Sequence, residues 1–372
     1  MRKELFKNTR RIVVKVGTST LTNSDGTLNE SLIKSLVAQI CAIKNLGYEV
    51  ILVTSGAVGA GMGRLVVSVK PKNIAQKQAL AAVGQVALMH LYERVFWAYS
   101  RTIAQLLLTR ADFDDRKRYL NARNVCNALL TQGIVPIINE NDPVVADELK
   151  VGDNDTLSAL VCGLTDADLL IILSDIDGLY TANPNSDKNA KLLNLVQNID
   201  ENIVKMAGGE GSKFGTGGMA TKISAAKIAT KNGTNMLIAN GKTSDILTKI
   251  INGDELGTLF LAKNGVNSRK FWVAFGASKK GVLVVDEGAA AALKSGKSLL
   301  AVGIKKVVGE FERGFVVDIC TAKNETIASG ITNYSSDDIA RILGLKSDEF
   351  EAILGHKTDD EIIHADNVAV KG

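Results

Sequence analysis

The stretch Ile12-Val13-Val14-Lys15-Val16-Gly17-Thr18-Ser19 decides how this chain is read. β-Branched residues crowd before a small-residue turn, as a buried strand prefers. One lysine interrupts the apolar run near its end. Burying that charge is costly unless something anionic meets it. Gly17 lets a ligand approach the backbone, and Thr18 and Ser19 add hydroxyl donors. The stretch therefore fits an anion cradle. Taken alone it fits an edge-strand lysine reaching solvent equally well, and the downstream strands decide between the two.

Those strands are apolar, and each runs into a polar or glycine-rich cluster. Leu28 to Leu46 carries helical spacing and stops at Gly47. Val50 to Val53 is a second strand, ending in Thr54-Ser55-Gly56-Ala57, with Gly59, Gly61 and Gly63 close behind. Asn73 to Phe96 reads as a long Ala-rich helix, Thr102 to Leu108 as a strand and Leu120 to Leu130 as a helix. The charged segment Asp112 to Arg118 reads as a solvated hairpin. Ile134 to Ile138 runs into Asn139-Glu140-Asn141-Asp142-Pro143. Gly152-Asp153-Asn154-Asp155 then precedes a helix from Thr156, and one of the three polar residues is expected to cap it. Asp168 to Leu173 is a strand closing on Ser174-Asp175. A loop-rich section leads to Gly215-Thr216-Gly217-Gly218-Met219-Ala220-Thr221-Lys222 and a helix, and Asn235 to Ala239 is the last strand of this kind. Strands apolar throughout, alternating with helices, predict an α/β fold with a mostly parallel sheet sandwiched by helices. Ligands collect beyond the carboxyl ends of such strands, where these clusters lie.

Near Gly257 the pattern changes. From Gly281 the strands are short and punctuated by glycine, predicting a small β-rich C-terminal domain with helical segments at Asp337 to Leu343 and Ser347 to Leu354. The expected division is a first domain over 1–262, a linker over 263–277 and a second domain over 278–372. From Ser278 on, 12 Lys and Arg stand against 15 Asp and Glu, a net of −3, which leaves +7 for the rest.

Composition narrows the function classes. The chain has 372 residues, 46% apolar and 23% charged, with a net charge of +4 that is too small to argue for nucleic acid. Its four cysteines are scattered without metal spacing and its three histidines do not cluster, which argues against a zinc site or a histidine triad. The cysteine pattern predicts buried thiols in a reducing cytoplasm. The basic start is followed by an apolar run broken at Lys15 and Gly17, unlike a secretory signal. No stretch reaches the roughly 18 to 20 apolar residues that span a membrane.

Two lysines with several glycine-rich turns can hold polyphosphate, and nearby carboxylates can hold the Mg²⁺ that accompanies nucleoside triphosphates. This is the equipment of phosphoryl transfer, where positioning and charge neutralisation dominate. It is not a P-loop. Gly241-Lys242-Thr243 and Gly296-Lys297-Ser298 would each need an earlier glycine where Met236 and Ala291 stand. No histidine is placed to serve as base. A carboxylate acceptor is already ionised at neutral pH and needs none, although an aspartate could serve a hydroxyl acceptor.

Taken in order, Lys-Val-Gly-Thr-Ser from Lys15, Val-Thr-Ser-Gly-Ala from Val53, Leu-Thr-Arg-Ala-Asp from Leu108, Asn-Glu-Asn-Asp from Asn139, Lys-Val-Gly-Asp-Asn-Asp from Lys150 and Thr-Gly-Gly-Met-Ala-Thr-Lys from Thr216 form a specific set. By these motifs the chain resembles the glutamate 5-kinases of the amino acid kinase superfamily over essentially its whole length. Related kinases for aspartate, acetylglutamate or UMP typically carry a double glycine or Ser-Gly-Glu after the strand lysine, where this chain has Gly-Thr-Ser. The resemblance implies an amino acid kinase-like fold and ATP-dependent phosphorylation of the γ-carboxylate of L-glutamate, the entry to proline synthesis. It implies that Lys15 neutralises the transferred phosphoryl group, with Gly17, Thr18 and Gly56 supporting. Ser55, Asp142 and Asn154 would hold glutamate, Asp142 facing its amino group. Ser174 and Asp175 would lie along the nucleotide. Ser174 replaces the family's usual threonine and keeps the hydroxyl. Thr216, Gly217, Gly218, Met219, Ala220, Thr221 and Lys222 would cover the ATP phosphates, Lys222 as a second phosphate contact. Asp153 and Asp155 would organise lysines and Mg²⁺, which is otherwise held mainly through ATP.

The resemblance also implies a homo-oligomer, feedback inhibition by proline and a product passed to glutamyl-phosphate reductase. The C-terminal part, with Val-Asp-Glu-Gly-Ala-Ala from Val285, resembles a PUA domain. Its net of −3 lacks the basic footprint of RNA binding, so a structural or regulatory role is expected. Two rival functions remain open on the sequence: an RNA adaptor on a degenerate kinase, and a sister carboxylate kinase for another amino acid.

Overall fold

The computed structural model describes residues 2–23, 27–69, 71–145, 151, 153–184, 187–208, 218–262 and 268–371. These form two compact units. One comprises Met1–Asp112 with Lys117–Gly265, the other Phe113–Arg116 with Val266–Gly372.

The first unit is built on strands β1 (Arg11–Val16), β2 (Glu49–Val53), β3 (Ile103–Leu108), β4 (Val135–Glu140), β5 (Leu169–Ser174), β6 (Leu195–Val196), β7 (Asn235–Asn240) and β8 (Thr258–Phe260). Their order across the sheet is β3-β4-β2-β1-β5-β7-β8-β6. All neighbours are parallel except β7 and β8. β1 lies centrally, in register with Leu52 of β2 and Ile171 of β5 at Val14. Strand alternation divides β1 between two layers. Ile12, Val14 and Val16 share a core with the helices Glu30–Asn45, Ile74–Trp97 and Ile246–Asn252. Val13 and Lys15 belong to the opposite face, where the helices Asn154–Thr165 and Met219–Lys231 pack on the sheet and on each other. The lysine of the opening stretch is thereby turned toward the start of Asn154–Thr165.

Two glycines set how a helix pair meets. A Cβ at Gly61 would lie 2.0 Å from the Leu80 carbonyl, and one at Gly84 would lie 1.8 Å from the Ala57 carbonyl. Ala57–Arg64 and Ile74–Trp97 can cross at backbone contact only because neither position has a side chain.

The second unit has β9 (Val282–Val285), β10 (Ile304–Val308), β11 (Val316–Thr321), β12 (Thr326–Ile331) and β13 (Val368–Val370), ordered β10-β9-β11-β12-β13. Only β9 and β11 run parallel. Its own core joins Leu283, Ile319, Tyr334 and Phe350.

Two expectations are corrected and one is extended. Asp112 to Arg118 is no hairpin: Arg110–Asp114 and Arg116–Thr131 are helices. Tyr119, Cys126 and Leu130 recur at helical spacing and are buried, while Lys117 and Arg118 are exposed. Beyond Asn235–Asn240, which forms as expected, the first sheet takes in the short strands β8 and β6 at its edge. The helix expected from Thr156 begins at Asn154, because Asp153 caps it.

Candidate active site

Each strand of the sheet's centre delivers a polar residue to the same end. Lys15 comes from β1, Thr54 and Ser55 follow β2, Asn139 and Glu140 close β4, and Ser174 closes β5. Gly56, at φ +95°, turns the chain from β2 into the Ala57–Arg64 helix, a conformation that favours glycine. All of these except Thr54 line a cavity of about 1320 Å³. Of the residues singled out in the sequence, Lys15, Gly17, Thr18, Ser55, Gly56 and Asp142 line it. So do Asp153, Asn154, Asp155, Ser174, Asp175 and Lys222. Gly218, Met219, Ala220 and Thr221 do not line it and form the approach to Lys222. Thr216 and Gly217 lie outside the described residues.

The floor of the cavity is a buried ion triplet. Asp155 is 0% exposed, Lys15 5% and Lys222 4%. Lys15 Nζ stands 2.7 Å from Asp155 Oδ1, and Lys222 Nζ stands 3.2 Å from Oδ2. Thr221 Oγ1 also donates to Oδ2, at 2.9 Å. Burial by itself would raise the Asp155 carboxyl. The two ammonium groups and their hydrogen bonds outweigh burial and hold it below the usual carboxylate range. The aspartate thus stays ionised and ties β1 to the first turn of Met219–Lys231. That helix starts at Gly218, which offers no side-chain cap to the first-turn N–H groups.

Asp153 and Asp155, paired in the sequence expectation, separate here. Asp153 accepts from Thr156 N at 2.9 Å and from Thr156 Oγ1 at 3.0 Å, as the helix cap. Asp155 alone meets the lysines. Beside them Asn154 Nδ2 reaches Thr54 O at 2.8 Å, Ser55 Oγ at 2.8 Å and Asn139 Oδ1 at 3.0 Å. Ser174 Oγ donates to Asp175 Oδ1 at 3.1 Å. Sequence reasoning assigned no role to Thr54, Asn139 or Glu140, although all three stand inside quoted motifs. Thr54 Oγ1 is 3.0 Å from the Tyr92 hydroxyl, and Glu140 Oε1 accepts from Val151 N at 2.7 Å.

Neither Asp153 nor Asp155 is placed to hold a metal ion. Both Asp155 oxygens face cations and Asp153 is spent on its helix. Among the described residues no group of three or more His, Cys, Asp or Glu is placed to hold a metal ion. Nucleophilic thiol chemistry is also unsupported. All four cysteines are free and buried, and burial pushes Cys126 up to about 12. Among the described residues no histidine lines the cavity.

The profile of the amino acid kinase family matches residues 10–240, and that of the PUA domain matches residues 281–354. The chain is 54% identical over 362 residues to a glutamate 5-kinase from Caldanaerobacter subterraneus subsp. tengcongensis, covering 97% of both chains. It is 50% identical to a glutamate 5-kinase from Carboxydothermus hydrogenoformans, covering 99% of both, and 48% identical to one from Geobacter sulfurreducens, covering 100% of both. With the ion triplet, the parallel sheet and this similarity along the whole chain, the protein is an enzyme that belongs to the amino acid kinase family, within its glutamate 5-kinase group, and carries a C-terminal PUA domain.

Proposed function

We propose that this enzyme transfers the γ-phosphoryl group of MgATP to the γ-carboxylate of L-glutamate, giving L-glutamyl 5-phosphate and ADP, the first step of proline synthesis. The carrying observation is the Lys15–Asp155–Lys222 triplet at the cavity floor. A γ-carboxylate oxygen attacks the γ-phosphorus, and the bond from that phosphorus to the oxygen bridging to the β-phosphate breaks. The acceptor is ionised at neutral pH, so no general base is required. The remaining task is to offset negative charge on the transferred group, and two preplaced ammonium groups suit it.

Lys15 and Lys222 are the catalytic residues in this reading, and Asp155 fixes their spacing. Ser55, Asp142 and Asn154 hold the amino acid. Ser174, Asp175 and the segment Gly218 to Lys222 serve the nucleotide, where the uncapped start of a 13-residue helix favours phosphate. The product is an acyl phosphate consumed by a reductase. Proline would act as a feedback inhibitor, and the enzyme would work as a homo-oligomer in the cytoplasm, with no RNA bound by its C-terminal domain.

The test is ADP release from MgATP with L-glutamate, L-aspartate or N-acetyl-L-glutamate offered separately, with hydroxylamine present to trap acyl phosphate as hydroxamate. Turnover and hydroxamate with glutamate alone are expected. Turnover with another acceptor would reassign the substrate. None with any acceptor, from folded protein that binds ATP, would sink the reading.

A further inference from the structure

The amide chemistry behind Asn154 reaches one residue further than the cavity wall. Asn139 Nδ2 donates to Gln85 Oε1 at 2.9 Å, and Asn139 Oδ1 accepts from the Glu140 backbone N–H at 2.9 Å as well as from Asn154 Nδ2. Asn139 is 2% exposed and Gln85 6%. Gln85 does not line the cavity. Its Nε2 has no hydrogen-bond partner among the described residues, so its carbonyl alone joins it to this cluster.

Each amide in the chain has its orientation dictated by a group that cannot reverse its role. The Thr54 carbonyl can only accept, so the NH₂ of Asn154 must face it. The Glu140 N–H can only donate, so the carbonyl of Asn139 must face it. The NH₂ of Asn139 is then left toward Gln85, which must present its own carbonyl. With its NH₂ committed to Thr54, Ser55 and Asn139, Asn154 retains Oδ1 for a ligand, an acceptor suited to an ammonium group. Ser55 Oγ accepts from Asn154, which leaves its hydroxyl hydrogen for a carboxylate. Gln85 supplies the acceptor that holds the last group of this chain, the NH₂ of Asn139, in place behind the surface presented to an α-amino acid.

We propose that Gln85 is a positioning residue for the amino acid substrate, acting through Asn139 on Asn154. The inference rests on the glutamate kinase reading of the site. The backbone-level crossing at Gly61 and Gly84 places Gln85 there, one residue from the closest contact of the two helices. Without its acceptor, the buried NH₂ of Asn139 has no partner, and Asn139 is held less firmly.

The test is steady-state kinetics of the full-length protein, varying glutamate and ATP separately, on the parent, Gln85→Met, Gln85→Glu, Asn139→Ala and Gln85→Met with Asn139→Ala. Gln85→Met is near in volume and lacks the acceptor. It should raise the KM for glutamate about tenfold while leaving the KM for ATP within about twofold. Gln85→Glu keeps an oxygen toward Asn139, since a carboxyl buried there takes up a proton, and should stay within about threefold of the parent. The double variant should be no worse than Asn139→Ala, because Gln85 has no other route to the substrate. Should Gln85→Met fold poorly, the glutamate-induced thermal shift of Gln85→Glu against Asn139→Ala reads the same relay, with retention in the first and loss in the second expected. An unchanged glutamate KM in Gln85→Met, equal rises in both KM values, additive effects in the double variant, or equal thermal shifts would each overturn the proposal. A parent without glutamate-dependent turnover would instead overturn the reading on which it rests.

Discussion

The two units treat charge in opposite ways. The first buries Lys15, Lys222, Asp155, Glu140 and Arg2. The buried polar residues described in the second are Ser329, Thr332, Ser336 and Asn367, all uncharged. Arg2 spends its guanidinium on the carbonyls of Asn194, at 2.6 Å, and Gly257, at 3.0 Å, which is a structural use. The other four gather at the carboxyl ends of parallel strands. In the second unit a typical pair, Lys305 with Asp286, stays at the surface with side chains 58% and 36% exposed. Desolvating ions is costly, and a fold concentrates them where they are used. The contrast marks which unit performs the chemistry.

That contrast can be broken most directly at the lysines. Lys15→Ala and Lys222→Ala should each lower kcat by about a thousandfold. Lys305→Ala should leave it within about twofold, because an exposed pair contributes little. A stopped assay for ADP settles it, and a Lys222→Ala enzyme with parental kcat would refute the role of the triplet.

Stability should divide the same way. Asp155→Ala strands two buried ammonium groups and should cost about 3–5 kcal/mol in urea unfolding, against less than about 0.5 kcal/mol for Lys305→Ala. The pH dependence sharpens this. The folded Asp155 carboxyl lies below its unfolded value, so its contribution is complete above the ordinary carboxylate range and is lost as pH falls through the folded value. The parent should lose stability on acidification below about pH 4, and Asp155→Asn should show a flatter acid limb. Parallel acid limbs in the two proteins would show that the triplet does not govern this loss.

The smallest expected effect compares two glycines. A Cβ at Gly84 meets the Ala57 carbonyl, and one at Gly303 meets Ala289 Cβ at 2.5 Å. Either alanine substitution should cost about 1–3 kcal/mol through overpacking. Only Gly84→Ala should also raise the KM for glutamate, because it displaces the helix that carries Gln85. Equal kinetics in the two variants would uncouple the helix crossing from the site.

Much of this was legible in the chain itself. Apolar strands ending in polar clusters gave the parallel sheet, and Lys15, Ser55, Asn154 and Ser174 meet in one cavity. The division of labour between Asp153 and Asp155 was not, because either could cap the helix until its first residue was known. Gln85 gave no signal. It sits in an Ala-rich helix, 54 residues from the asparagine it supports. Its only mark was the neighbouring Gly84, a glycine inside a helix with no turn to explain it. β6 and β8 escaped because two or three residues cannot display alternation. The helices around Asp112 to Arg118 were hidden by the density of charge in that segment.

The Lys15–Asp155–Lys222 triplet holds two positive charges against one negative. In the proposed reading the phosphoryl group of a bound nucleotide would meet both ammonium groups. Inorganic phosphate or sulfate in an ordinary buffer will act as a weak surrogate for it, raising the melting temperature of the protein while competing with its nucleotide.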